Sequence, residues 1–105
     1  MAKIYGLKNC DNCRKAKKAL GEDVRDVRED PLTRAQLETF FEAFGAALLN
    51  TRSTTWRGLD ETQRAGDVLG LLQEHPTLMK RPVIEHDGKL FLGWGKEVQA
   101  ALLKV

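Results

Sequence analysis

The sequence predicts an α/β fold with a small mixed sheet of about four strands, and three observations carry that prediction. Residues 4–28 read as strand, helix, strand, and residues 83–104 as strand, turn, strand, helix, with helical patterns over about 31–79 between them. A C-x-x-C pair, Cys10-Asp11-Asn12-Cys13, falls where the first strand gives way to the first helix.

Ile4, Tyr5 and Leu7 mark the first strand, Lys8-Asn9 a tight polar loop, and the helix begins within C-x-x-C and runs to Leu20. Arg14, Lys15, Lys17 and Lys18 read as a solvated face around Ala16, Ala19 and Leu20, with part of that charge available to a nearby thiolate. Gly21-Glu22-Asp23 ends the helix, and residues 24–28 alternate apolar and polar as a half-buried strand does. Two strands bridged by a helix make a right-handed crossover, so these strands run parallel.

Thr33 is a good N-cap, and Gln36 completes its capping box. Leu37, Phe40, Phe41 and Phe44 follow at helical spacing as a core stripe, and Gly45 ends that helix. Residues 46–50 read as a short helical turn. The stretch Thr51-Arg52-Ser53-Thr54-Thr55-Trp56-Arg57 reads as an irregular loop that suits a site better than a core. Its arginines, Arg52 and Arg57, either converge on an anion or pair with carboxylates such as Asp60 and Glu61. Residues 60–74 carry one more helical pattern through Val68, Leu69, Leu71 and Leu72, weakened by Gly66 and Gly70. His75, just before a proline, reads as a capping or surface residue. Asp87-Gly88 signals a β-hairpin between Val83-Ile84-Glu85 and Leu90-Phe91-Leu92-Gly93. A last helix over 96–104 is expected to turn Val98, Ala101, Leu102 and Val105 inward. The chain reads as one domain, 1–105, with a helical insertion at about 31–79 and no internal repeats.

A cysteine at a strand-to-helix junction faces unpaired backbone N–H groups and the positive end of the helix dipole, which favour thiolate over thiol. Cys10 sits at or before the first turn and Cys13 about one turn further in. Cys10 is therefore the expected nucleophile and Cys13 the resolving thiol, closing an internal disulfide after Cys10 has attacked a substrate disulfide. Two inert buried cysteines, or half of a zinc site, are the competing readings. Zinc needs four ligands, and His75 and His86 stand at no finger-like spacing.

Composition narrows the classes. Hydrophobic residues at 42% and charged residues at 30% are ordinary for a globular domain and argue against disorder. The formal charge of +2 has no basic run beyond residues 14–18, so direct nucleic-acid binding is not expected. No stretch reaches the apolar length of a membrane span, and residues 1–5 lack a signal peptide's apolar region. A cytoplasmic location is expected, where a close cysteine pair is more naturally catalytic or redox-sensing than structural.

The element order with C-x-x-C at its first junction suggests a thioredoxin-like fold, with Pro82 the candidate for the cis-proline that faces the cysteine. More specifically, the chain resembles the arsenate reductase (ArsC)/Spx family, in its YffB-like branch. The matching blocks are Ile4-Tyr5-Gly6-Leu7-Lys8-Asn9-Cys10, Leu49-Asn50-Thr51-Arg52-Ser53-Thr54-Thr55-Trp56-Arg57-Gly58-Leu59-Asp60-Glu61, His75-Pro76-Thr77-Leu78-Met79-Lys80-Arg81-Pro82-Val83 and Leu90-Phe91-Leu92-Gly93. The resemblance implies that Cys10 is the catalytic cysteine, that Arg81 flanks the cis-proline beside it, and that Arg52 or the competing Arg57 is a second site arginine. Lys8, Asn9 and Pro82 complete the expected substrate or anion site.

The resemblance also implies a thiol-dependent reductase acting on a small thiol or anionic substrate. No cofactor is expected to be tightly bound, with glutathione as co-substrate and glutaredoxin or thioredoxin as partner of a monomer. Two alternatives stand beside it. Arsenate reductases resemble one another in a third arginine on the last hairpin and in a single catalytic cysteine. This chain instead has Leu92-Gly93-Trp94-Gly95 there, and Cys13 is additional. Spx-type members resemble it in the C-x-x-C and act as redox-switched regulators that bind RNA polymerase.

Overall fold

The computed structural model describes residues 2–103, so the expected inward turn of Val105 and the last residue of the final helix lie outside the described residues. The described chain forms two compact units, one of residues 2–30 and 81–103 and one of residues 31–80. The first contains β1 (Ala2–Gly6), α1 (Asp11–Leu20), β2 (Val24–Asp26), β3 (Val83–His86), β4 (Lys89–Leu92) and α6, the helix at Lys96–Leu103. The second contains α2 (Arg34–Phe44), α3 (Thr54–Arg57), α4 (Glu61–Arg64) and α5 (Val68–Glu74).

The expected mixed α/β architecture is what the chain adopts. Its strands lie in the order β2-β1-β3-β4, with β1 parallel to β2 and antiparallel to β3, and β3 antiparallel to β4. The register places Val24, Ile4, Ile84 and Phe91 in one row across the sheet. Cys13 and Ala16 from α1, Val98 and Leu102 from α6, and Trp94 pack with that row. Alternation explains the row, because residues two apart on a strand share a face and a buried face must be apolar. Burying each of the large aliphatic side chains in it stabilises the fold by about 1.5–3 kcal/mol.

The hairpin turn is Asp87-Gly88, with φ of 55° and 75°. Both central residues at positive φ match the right-handed twist of the flanking strands, which is why Asp-Gly is favoured there. Helix α1 ends at Gly21, whose left-handed conformation (φ 68°) lets its N–H reach the Lys17 carbonyl. Trp94, which carried no periodic signal, joins the core beyond β4, and its carbonyl accepts a 2.9 Å hydrogen bond from Gln99 Nε2.

In the second unit Thr33 and Gln36 form the reciprocal capping box of α2. Replacing Thr33 by alanine exposes an unpaired helix N–H and is expected to lower stability by about 1 kcal/mol; thermal unfolding of the variant checks this. Four local expectations are corrected. The stretch 51–57 is not all loop: Ser53 accepts from the Trp56 N–H and starts α3. The pattern over 60–74 is two helices, because Asp60 caps α4 in a box with Gln63 and the chain breaks at Gly66 before α5. Ala19 and Ala101 are exposed rather than inward, each lying at the edge of its helix's buried stripe. Strand β2 stops at Asp26, whose side chain accepts the N–H groups of Arg28 and Glu29 and turns the chain away.

Candidate active site at the first strand-to-helix junction

Cys10 occupies the N-cap of α1 in an extended conformation (φ −89°, ψ 127°), with its carbonyl accepting the Arg14 N–H at 2.9 Å. Its own N–H donates to the Leu7 carbonyl at 3.2 Å, closing the loop. The side chain is half-buried, whereas Cys13, in the first turn, is fully buried. Gly6 makes that burial feasible: a Cβ built on it overlaps Cys13 Sγ, so the thiol sits directly on the β1 backbone.

Arg81 and Pro82 enter from the other side, joined by a cis peptide bond. Pro82 is buried at the start of β3, and its carbonyl accepts the Gly93 N–H at 2.8 Å. The Arg81 guanidinium stands near enough to Cys10 to favour its thiolate, by hydrogen bonding and by charge. The structure thus brings Cys10, Cys13, Arg81 and Pro82 together within the first unit.

The thiols diverge. Burial pushes Cys10 up, but the Cys13 N–H and thiol and the Arg81 guanidinium outweigh it and hold Cys10 below the ordinary thiol value. Burial pushes Cys13 up to about 12, with the neighbouring Cys10 raising it further against a backbone hydrogen bond at Leu7 and the Arg81 charge, which pull it down. A half-exposed acidic thiol beside a buried basic one can attack a disulfide and then be displaced intramolecularly.

Lys8 and Asn9 are exposed on the loop before Cys10. Lys8 Nζ lies 3.0 Å from Glu29 Oε2, and Asn9 Oδ1 accepts from Arg28 Nη2 at 3.3 Å. Arg52 and Arg57 are exposed residues of the second unit. The Arg52 N–H donates to Asn50 Oδ1, and Arg57 ends α3. Pairing with Asp60 or Glu61, one of the two readings of these arginines, is not among the ion pairs of the described residues. In that unit it is Arg64, passed over in the sequence, that stacks on the Trp56 ring at 5.4 Å and donates to the Trp56 carbonyl.

Two further residues escaped the sequence reading. Gly6 carries the general signal of a glycine within a strand, which marks close approach of another group. Asp26 is 4% exposed and accepts the Lys8 N–H at 3.1 Å. Its signal was a carboxylate in phase with the buried Val24, two residues earlier on the same strand face.

Comparison with known proteins agrees with this architecture. A solved YffB protein superimposes with a TM-score of 0.87 at 32% identity, covering 98% of this chain and 99% of that one. An arsenate reductase (ArsC) related protein from Brucella melitensis gives a TM-score of 0.71 at 35% identity, covering 99% and 95%. An uncharacterized protein of Haemophilus influenzae is 43% identical over 96% of this chain and 98% of its own length. The global transcriptional regulator Spx of Bacillus subtilis is 27% identical over 92% and 82%. Residues 5–102 match the ArsC family across nearly the whole chain, and the protein is a member of that family.

Proposed function

We propose that this ArsC-family protein is a thiol-disulfide oxidoreductase in which Cys10 is the nucleophile and Cys13 the resolving thiol. The observation that carries the reading is the half-exposed Cys10 at the α1 N-cap, with the Arg81 guanidinium favouring its thiolate and a buried second thiol behind it. Cys10 thiolate attacks one sulfur of a substrate disulfide, forming a mixed disulfide and releasing the first thiolate, which takes up a proton from water. Cys13 then loses its proton, attacks the Cys10 sulfur and releases the second thiolate, leaving a Cys10–Cys13 disulfide. Two electrons pass to the substrate, and glutathione or a dithiol protein of the glutaredoxin or thioredoxin class returns them.

The basicity of Cys13 suits that order. Part of it comes from the Cys10 charge, which disappears once Cys10 is in a mixed disulfide. Cys13 therefore becomes more acidic when it is needed. Arg81 supplies the cation for thiolate and anionic partner, Lys8 and Asn9 contribute exposed binding surface, and the buried Pro82 holds the neighbouring Arg81 in place. Alanine variants of Arg52 and Arg57, tested singly, decide which of them the partner's charge depends on.

The test is the pH dependence of Cys10 alkylation in the reduced protein, with and without glutathione or arsenate. A midpoint clearly below about 8.5, moved by one ligand, supports the reading and identifies the substrate to pursue. An ordinary midpoint that neither ligand moves overturns it. A second reading, a redox-switched transcriptional regulator, draws on the likeness to Spx. Retention of the RNA polymerase α subunit by one oxidation state of the Cys10–Cys13 pair and not the other favours that reading.

A further inference from the structure

The loop that delivers Cys10 is tied to the turn after β2, and the tie has one buried centre. Asp26 Oδ2 accepts the Lys8 N–H at 3.1 Å, while Oδ1 accepts the N–H groups of Arg28 at 2.9 Å and Glu29 at 3.4 Å. Arg28 Nε stands 3.7 Å from Oδ1. Around this centre Glu29 accepts from Lys8 Nζ, Arg28 donates to Asn9 Oδ1, and Arg14 Nε donates to the Lys8 carbonyl at 3.3 Å. The Val27 N–H also bonds the Gly6 carbonyl at 2.9 Å, so the two segments stay in register below the loop.

These contacts are unequal. The peripheral ones are exposed, and exposed pairs of that kind contribute little. A buried carboxylate, by contrast, is costly unless hydrogen-bonded, and hydrogen bonds to an ionised oxygen are about twice as strong as neutral ones. The fold keeps Asp26 at a position in phase with Val24, where an apolar residue would suit the sheet face. What the carboxylate secures is the shape of two loops, one of which ends at Cys10. Thiolate stabilisation by a helix terminus falls off within a single turn, so a small displacement of that loop weakens it.

We propose that Asp26 is a positioning residue for the Cys10 thiol, its carboxylate pinning the Lys8 N–H so that the Lys8-Asn9 loop delivers Cys10 to the N-cap of α1 beside Arg81. The proposal rests on the reading of Cys10 as a reactive thiolate. Asp26 stays ionised well into acid: burial raises its pKa, and the Lys8, Arg28 and Glu29 N–H groups with the Arg28 charge outweigh that and lower it. The clamp is thus closed throughout the pH range in which Cys10 titrates.

The experiment compares Asp26→Ala and Asp26→Asn with the parent protein by the pH profile of Cys10 alkylation. Asp26→Ala is expected to move the midpoint of Cys10 alkylation up by about one pH unit, whereas Asp26→Asn, which keeps one acceptor oxygen but sets an NH2 against the N–H groups on the other side, falls between Asp26→Ala and the parent. A parent-like profile for Asp26→Ala overturns the proposal. So does faster alkylation in both variants, since Asp26 would then act only as a negative charge. Should Asp26→Ala not fold, amide exchange in the unsubstituted protein decides: a protected Lys8 N–H supports the clamp, and an unprotected one refutes it. A parent Cys10 that titrates like a free cysteine refutes the thiolate reading itself, a result separate from any of these.

Discussion

Gly6→Ala is expected to destabilise the protein by about 2–3 kcal/mol, the upper range for forcing an extra methyl group into a packed core. The added Cβ falls on Cys13 Sγ, and Cys13 has little room to yield because it is fully buried between β1 and the core row. The diagnostic result is the double variant. Removing the sulfur with Cys13→Ala vacates the site that the new methyl group needs, while the Cys13 Cβ, 3.5 Å away, stays at ordinary contact distance. Gly6→Ala with Cys13→Ala is therefore expected to be more stable than Gly6→Ala alone, giving a coupling energy of about 1–2 kcal/mol in a double-mutant cycle from denaturant unfolding. Strictly additive losses would place the Cys13 thiol somewhere other than against the β1 backbone.

The largest chemical effect is expected at Arg81. Its guanidinium favours the charged form of Cys10 by a hydrogen bond and by its positive charge, in opposition to burial, which favours the neutral thiol. Arg81→Ala removes the favourable part and leaves the burial, so the sign is unambiguous: the Cys10 pKa rises and the thiolate fraction at pH 7 falls. A decrease in alkylation rate of about tenfold or more is expected at that pH, shrinking as the pH is raised and the thiol ionises without help. Arg81→Lys is expected to recover part of the rate, because it keeps the charge but not the planar donor geometry. A pH profile of alkylation that is the same in all three proteins would remove Arg81 from the site. Cys10→Ser supplies the baseline, since Cys13 is fully buried and that burial, the largest cause of its raised pKa, remains in the variant and keeps it from the alkylating agent at neutral pH.

Both predictions depend on features with different visibility in the sequence. Local chemistry wrote itself plainly. Thr33 with Gln36 marked the start of α2, Asp87-Gly88 the hairpin turn, and Gly21 the end of α1, because caps and turns are satisfied by residues within a few positions of one another. The C-x-x-C pair marked the junction by its own position between strand and helix, whereas the facing Arg81-Pro82 pair was implied by the family resemblance and not by local chemistry.

Where two local signals competed, the reading lost detail. Residues 60–74 hold one apolar period but two helix starts, Asp60 and Asp67, with Gly66 between them, and the starts prevailed over the period. Ser53 likewise drew residues 54–57 into a helical turn that their hydroxyl-rich composition had concealed.

What the sequence by itself determined is the identity and order of the first unit's elements and the placement of a cysteine at a helix N-terminus, since periodicity, capping and turn chemistry act over short stretches of chain. Only the tertiary structure decided the environment of that cysteine. Strand pairing brings β2 and β3 to opposite sides of β1, and with them come Asp26 beneath the Lys8 loop and Arg81 beside Cys10, while the packing of α1 on β1 sets Gly6 under Cys13. Burial, charge and close approach are properties of residues distant in sequence, and folding is what makes them neighbours.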